Sequence, residues 1–261
     1  MQLDLHTHST YSMDAHDSIT DMCRRAVELD LQAIAFTDHV EWLPDGDRLM
    51  PDFPRYFEEL AQARAYFASD GLQVLSGVEF GNPHEHRAEV EEMLSAYDFD
   101  VIIGSVHWLG DRNIHLSSAF DGRDQYDVYA GYFEEMAVLA REPGLDMVAH
   151  FDRIFQAGVP RFGLPDIRRV EGPVRRALEA MVDNACLLEL NTRFLARESG
   201  WNDTIRTVLD WYRDAGGAFV SINSDAHRVS EVARHGAIGQ NLVLESGLEP
   251  SGVPRLAFAE E

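Results

Sequence analysis

The sequence predicts an α/β fold, a TIM-like barrel of seven βα units with a metal site at the C-terminal ends of its strands. Two observations predict it. Short apolar runs alternate with longer stretches of helical spacing, and strand alternating with helix means parallel pairing through right-handed crossovers. Metal-binding residue types then follow six of the seven expected strands. In a parallel barrel those ends gather on one face.

The expected strands are Leu3–Leu5, Ala33–Thr37, Val74–Val78, Val101–Val106, Met147–Ala149, Leu187–Leu190 and Phe219–Ile222. Their brevity and β-branched content favour strand over helix. After the first, Ser18 can cap a helix running through Met22, Ala26 and Leu29. After the second, Phe53, Phe57, Leu60 and Phe67 share one helical face, and Tyr129, Phe133, Met136 and Ala140 do so after the fourth. Val174, Leu178 and Met181 lie before the sixth strand, and Ile205, Val208 and Tyr212 follow it. Gly158–Pro165 reads as a long loop and Gly247–Pro254 as a surface tail. No low-complexity linker interrupts the chain, so one barrel domain is expected over 1–261.

Composition excludes whole classes. The 261 residues carry a net charge of −23, and all 22 basic residues are arginine. Without lysine there is no P-loop NTPase, protein kinase, Schiff-base or pyridoxal enzyme, and no metal site bridged by a modified lysine. The acidic balance makes nucleic-acid binding an unfavoured expectation, since cationic side chains must displace the counterions there. A small phosphorylated molecule stays open, because local charge can differ from the total. No apolar run approaches the ~18 residues of a membrane span, and no secretory signal is visible at the N-terminus. With Cys23 and Cys186 alone, free thiols and a cytoplasmic location are expected.

The histidines carry the chemistry. His6 and His8 close the first strand, and residues i and i+2 of a strand point the same way. His39 follows the second strand, Glu79 ends the third, His107 the fourth and His150 the fifth, while Asp225 and His227 follow the seventh. A lone His-x-His pair says little, but the joint placement does not recur by chance. Imidazole and carboxylate together suit zinc, iron or manganese. So many donors exceed one ion's need, which points to two or three divalent ions with Glu79 as a bridging carboxylate.

These residues make the chain resemble the PHP (polymerase and histidinol phosphatase) superfamily of metal-dependent phosphoesterases. The resemblance rests on Asp4-Leu5-His6-Thr7-His8-Ser9, Thr37-Asp38-His39, Gly77-Val78-Glu79, Gly104-Ser105-Val106-His107 and Ser224-Asp225-Ala226-His227. The run from Asp98 to Trp108 looks like the histidinol-phosphatase branch. Resemblance implies a distorted TIM-like (β/α)7 barrel with three metal sets: His6, His8, Glu79 and Asp225; then Glu79, His107 and His150; then Asp14, His39 and His227, with His16 as a rival to Asp14. It implies hydrolysis of a phosphate monoester, with L-histidinol phosphate first and a nucleotide or oligonucleotide end as the alternative. Glu79, Asp225 and Arg197 are the expected catalytic residues. Arg153 and Arg197 are the expected phosphate clamps, with Arg161 and Arg228 in reserve. In Glu189-Leu190-Asn191-Thr192-Arg193-Phe194, Arg193 and Phe194 replace the branch's small residues. A general acid could come from His16, His115, His235 or Asp38, and a second His-x-His, His84 and His86, reads as an exposed helix start. Glu41, Trp42 and Asp45 could meet a cationic amine.

Overall fold

The computed structural model describes residues 3–195, 200–253 and 256. The strands are β1 (Leu3–Thr7), β2 (Ala33–Phe36), β3 (His39–Trp42), β4 (Arg48–Leu49), β5 (Gln73–Gly81), β6 (Val101–Ser105), β7 (Trp108–Leu109), β8 (Arg112–Asn113), β9 (Met147–Val148), β10 (Leu187–Asn191), β11 (Phe219–Asn223) and β12 (Glu249–Pro250). The helices are α1 (Ile19–Glu28), α2 (Phe53–Phe67), α3 (Arg87–Ala96), α4 (Gln125–Leu139), α5 (Arg153–Phe162), α6 (Glu171–Asp183), α7 (Trp201–Asp214) and α8 (Gly236–Glu245). One curled sheet runs β1-β2-β5-β6-β9-β10-β11-β12. Every pairing along that path is parallel, as α/β alternation requires.

Two irregularities distort the barrel. In β1 the register slips between Asp4 and Thr7: three steps of β1 pass two of β2. Such a bulge turns successive side chains to one face. Leu5 packs into the interior cluster, and its neighbour His6 also reaches the interior carboxylates Glu79 and Glu189. The second irregularity is the β1–β11 seam. It holds one parallel bridge, Thr7 to Ala226, and otherwise closes through side chains. Asn223 Oδ1 accepts from Leu5 N at 2.9 Å, and Asp4 accepts from Ser224 N at 2.9 Å and from Ser224 Oγ at 2.5 Å.

Alternation decides what faces inward. Ala33, Ala35, Val101, Ile103, Met147 and Leu187 fill the lower barrel. Their neighbours Ile34, Phe36, Val148 and Leu188 pack under the helices. Above this apolar floor the inward positions become polar: Glu79, Glu189 and Asn223 are all buried.

Several expectations are corrected. β5 extends to Gly81, so Glu79 lies inside the strand, not at its end. β3 resumes the line of β2 after a break at Thr37–Asp38 and sets His39 beside Glu79. Residues 158–162 of the expected loop belong to α5. Gly158 fits there because a Cβ would stand 2.2 Å from the Tyr129 hydroxyl. The expected tail contains β12, an eighth strand on β11, anchored by buried Leu248 and Val253.

Candidate metal centre

The strand ends bring nine of the sequence's site residues to one place. His6 Nε2 and His8 Nε2 lie 3.1 Å apart, and they stand 3.2 and 3.4 Å from Glu79 Oε2. Asp225 Oδ1 is 3.3 Å from His8 Nε2. On the other side, His107 Nε2 and His150 Nε2 lie 3.3 and 3.0 Å from Glu79 Oε1. Asp14 reaches His39 Nε2 at 3.6 Å and His227 Nε2 at 3.2 Å. Glu79 thus faces two donor groups with different oxygens. The three groups overlap: His39 Nδ1 also lies 3.0 Å from Glu79 Oε2.

The far side of four of the six rings is engaged as a metal ligand would require, while His39 Nδ1 and His150 Nδ1 make no aligned hydrogen bond among the described residues. His6 Nδ1 meets Glu189 Oε1 at 2.7 Å. His107 Nδ1 meets Glu41 Oε1 at 2.5 Å. His227 Nδ1 meets the Asp225 carbonyl at 3.0 Å. Ser12 donates its hydroxyl to Asp38 at 2.6 Å, so its oxygen accepts from His8 Nδ1 at 3.2 Å. All four acceptors put the proton on Nδ1 and leave the Nε2 lone pair facing inward. Glu79 Oε2 is buried and accepts no aligned hydrogen bond among the described residues, although three imidazole nitrogens surround it. Such a carboxylate oxygen is costly unless a cation meets it. A buried set of imidazole and carboxylate donors therefore fits divalent transition-metal ions.

Backbone and charge agree. His150 and Asp225 adopt positive φ, 28° and 51°, a strained region for such residues that collects at functional sites. Burial alone would raise Glu79 and Asp225, but the surrounding histidines hold both well below the usual carboxylate range. Burial would lower His107, yet Glu41 and Glu79 push it up to about 10. His39 is likewise pushed up to about 8, against burial, chiefly by Glu79. Burial and the neighbours His39 and His227 hold His8 well below its ordinary value. The pocket thus demands positive charge around its carboxylates.

Other expected residues fall differently. Arg153 opens α5 and lines a hollow of about 360 Å³ with Met13, Asp14, Leu43, Trp108, Asn113 and His115. Arg197 lies outside the described residues. Arg161 pairs with Asp121 at 3.0 Å and lines neither this hollow nor the one beside His227. Arg228 and His16 line a second hollow beside His227. Asp38 accepts from Ser9 and Ser12 and lines neither hollow. Glu41 faces His107, and Trp42 stacks on His86 with centroids 4.5 Å apart, so neither is free for an amine. His84 is not exposed; its ring is buried against Glu135 at 3.1 Å. Sequence reasoning missed Glu189, Ser12 and Ser105 as supports; Ser105 Oγ donates to Glu79 Oε1 at 2.5 Å. The usable signal for Glu189 was a lone acid between Leu188 and Leu190 at an inward-alternating position.

A curled parallel sheet whose strand ends converge on buried histidine and carboxylate donors defines a metal-dependent enzyme. The PHP domain family model matches residues 4–193, and the chain belongs to that family. It is 26% identical over 229 residues to the probable histidinol-phosphatase of Clostridium acetobutylicum, covering 87% of each chain. It is 26% identical to the histidinol-phosphatase of Lactococcus lactis, covering 87% of this chain and 84% of that one. The crystal structure of the Lactococcus lactis histidinol phosphate phosphatase, complexed with zinc, L-histidinol and phosphate, superposes with a TM-score of 0.86 at 21% identity, covering 95% of each chain. No helix among the described residues is long and apolar enough to cross a membrane.

Proposed function

We propose that the protein is a metal-dependent phosphatase that hydrolyses L-histidinol phosphate to L-histidinol and phosphate. The observation that carries the reaction type is Arg153. It is partly buried beside the donor cluster. It donates to two neutral acceptors, His115 Nδ1 and Gln156 Oε1, each at 2.9 Å. No ion pair compensates it among the described residues. A permanent cation that no carboxylate pairs directly, set beside sites for divalent ions, suits an anion that both can hold, and a phosphoryl group is such an anion. The relatives named histidinol-phosphatase, matched over most of their length, support the choice of ester.

Two or three divalent ions, zinc, manganese or iron, would be held by the three sets of donors. Bound there, they supply Lewis acidity and a water acidic enough to attack near neutral pH. The chain's own contribution is positioning. Glu79 divides its oxygens between two donor groups, Asp225 is kept ionised, and Arg153 holds the phosphoryl group against them. Met13, Leu43 and Trp108 give the hollow an apolar wall on which an imidazole ring can rest.

Purified protein loaded with zinc or manganese should release phosphate from L-histidinol phosphate with a higher kcat/KM than from nucleoside monophosphates. Equal or better turnover of the nucleotides would overturn the substrate. No phosphate release from any monoester would overturn the reaction.

A further inference from the structure

Arg193 is neither of the arginines expected to hold phosphate, yet its position beside the donor cluster is built. It stands two residues beyond the end of β10. Asn191, the last residue of that strand, is buried, and its Oδ1 accepts the Arg193 backbone N–H at 3.0 Å. A backbone N–H can only donate, so the amide cannot turn over, and Nδ2 is the atom that donates to Asp225 Oδ2 at 3.2 Å. One side chain thus fixes the turn that carries Arg193 and the outer oxygen of Asp225. The Arg193 guanidinium approaches that same oxygen, with Nη1 at 3.6 Å. This is too long for a hydrogen bond. Asp225 is already engaged through Oδ1, 3.3 Å from His8 Nε2, and its outer oxygen is taken by Asn191. Among the described residues, the guanidinium of Arg193, 25% exposed, makes no hydrogen bond. Its five N–H groups can therefore turn towards a ligand without breaking one.

Two guanidinium groups reach the donor cluster from different hollows. Arg153 lies with His39 and His107 in one. Arg193 lies with His227 and His16 in the other, of about 400 Å³, and Asp14 lines both. The two cations sense each other. Burial holds Arg153 below its ordinary value, Asp225 opposes that, and the charge of Arg193 adds to the lowering. Neither guanidinium has a carboxylate hydrogen-bonded to it among the described residues, so an anion that both can reach relieves both.

We propose that Arg193 is a second phosphoryl-binding residue, which holds the phosphoryl group from the His227 side of the donor cluster while Arg153 holds it from the His107 side. Arginine suits the part, because its planar fork gives two parallel hydrogen bonds to one phosphoryl group. The proposal rests on the phosphomonoester reading above.

The test uses zinc-loaded protein, Arg193→Ala and Arg193→Lys. Inorganic phosphate, titrated calorimetrically into protein carrying its full complement of zinc, should bind Arg193→Ala about 10- to 100-fold more weakly than the wild type, the usual loss for a hydrogen bond between charged groups. Arg193→Lys keeps the charge without the fork and should recover part of that loss. The kcat/KM values for L-histidinol phosphate and for p-nitrophenyl phosphate should fall by one common factor, because the phosphoryl group is common to both. Zinc affinity, measured by competition with a chelator, should not fall, since the variants remove no donor. Unchanged phosphate affinity in Arg193→Ala overturns the proposal, and weakened zinc binding in its place would make Arg193 a support of Asp225 alone. A loss confined to L-histidinol phosphate would make Arg193 a reader of the leaving group and overturn it as well. If no phosphate monoester is hydrolysed, the reaction fails as a reading, while the phosphate titration still decides the part of Arg193.

Discussion

At the scale of single residues, the donor rings are only half of the centre. For four of the six rings the inward nitrogen depends on what grips the opposite nitrogen, and Glu189 makes the most contacts. Fully buried, it takes His6 Nδ1 on Oε1 and the His150 backbone N–H on Oε2, both at 2.7 Å. It also accepts from Asn223 Nδ2 at 3.0 Å. One carboxylate thereby fixes a donor ring on β1, the turn after β9 and the end of β11. Glu189→Gln keeps the shape but must turn an amide N–H towards one of these donors. Metal affinity and kcat/KM should fall by about 10- to 100-fold, the range for the supports of metal-bound histidines. The circular dichroism spectrum should stay native. Unchanged zinc affinity by competition with a chelator would remove Glu189 from the centre. Most donors were legible because they sit in short local motifs in or just beyond a strand, whereas Asp14, in the loop between β1 and α1, was placed by resemblance alone. Glu189 and Glu41 were not, because their meaning arises only where distant strands meet.

At the scale of elements, the site depends on departures from regular structure. The β1 bulge turns His6 into the barrel directly after Leu5, and the break between β2 and β3 brings His39 level with Glu79. Strand-and-helix periodicity revealed the main parallel strands and most of the helices, since burial imposes that period. It could not show α5. Gly158 and Pro160 read as loop residues, yet Gly158 permits close packing on Tyr129 and Phe120, and Pro160 costs the helix one hydrogen bond. β12 escaped for a related reason: two strand residues between glycines carry no period. The tight packing makes Gly158→Ala informative. Alanine raises helix propensity by about 1 kcal/mol, but its methyl would collide with the buried Tyr129 hydroxyl. Overpacking of about 1–3 kcal/mol should prevail. The unfolding midpoint should fall, and kcat/KM should fall with it, because α5 carries Arg153 at its first turn. A rise in the midpoint would show that the helix backs away freely from Tyr129.

At the scale of the molecule, a net charge of −23 surrounds a centre that requires cations. Nine donors include only three carboxylates, Asp14, Glu79 and Asp225. Three divalent ions would bring +6 against their −3, so the pocket can be positive inside an acidic protein. The same balance sets the response to metal removal and pH. In chelated protein the charge that Glu79 needs comes from protonated histidine. His39 and His107 are raised above the ordinary 6.5, to about 8 and about 10. A raised histidine contributes stability that is complete below its unfolded value and lost as pH rises through its folded value. Glu79, held far below the carboxylate range, stays ionised throughout. The chelated protein should therefore lose thermal stability steadily between about pH 7 and pH 10. Metal-loaded protein needs no second proton on those rings, and bound ions stabilise the folded state alone. Its unfolding midpoint should be higher at neutral pH, and the gap between the two forms should widen towards pH 10. Differential scanning calorimetry across that range decides the matter, and parallel curves for the two forms would show that Glu79 does not draw its counter-charge from metal.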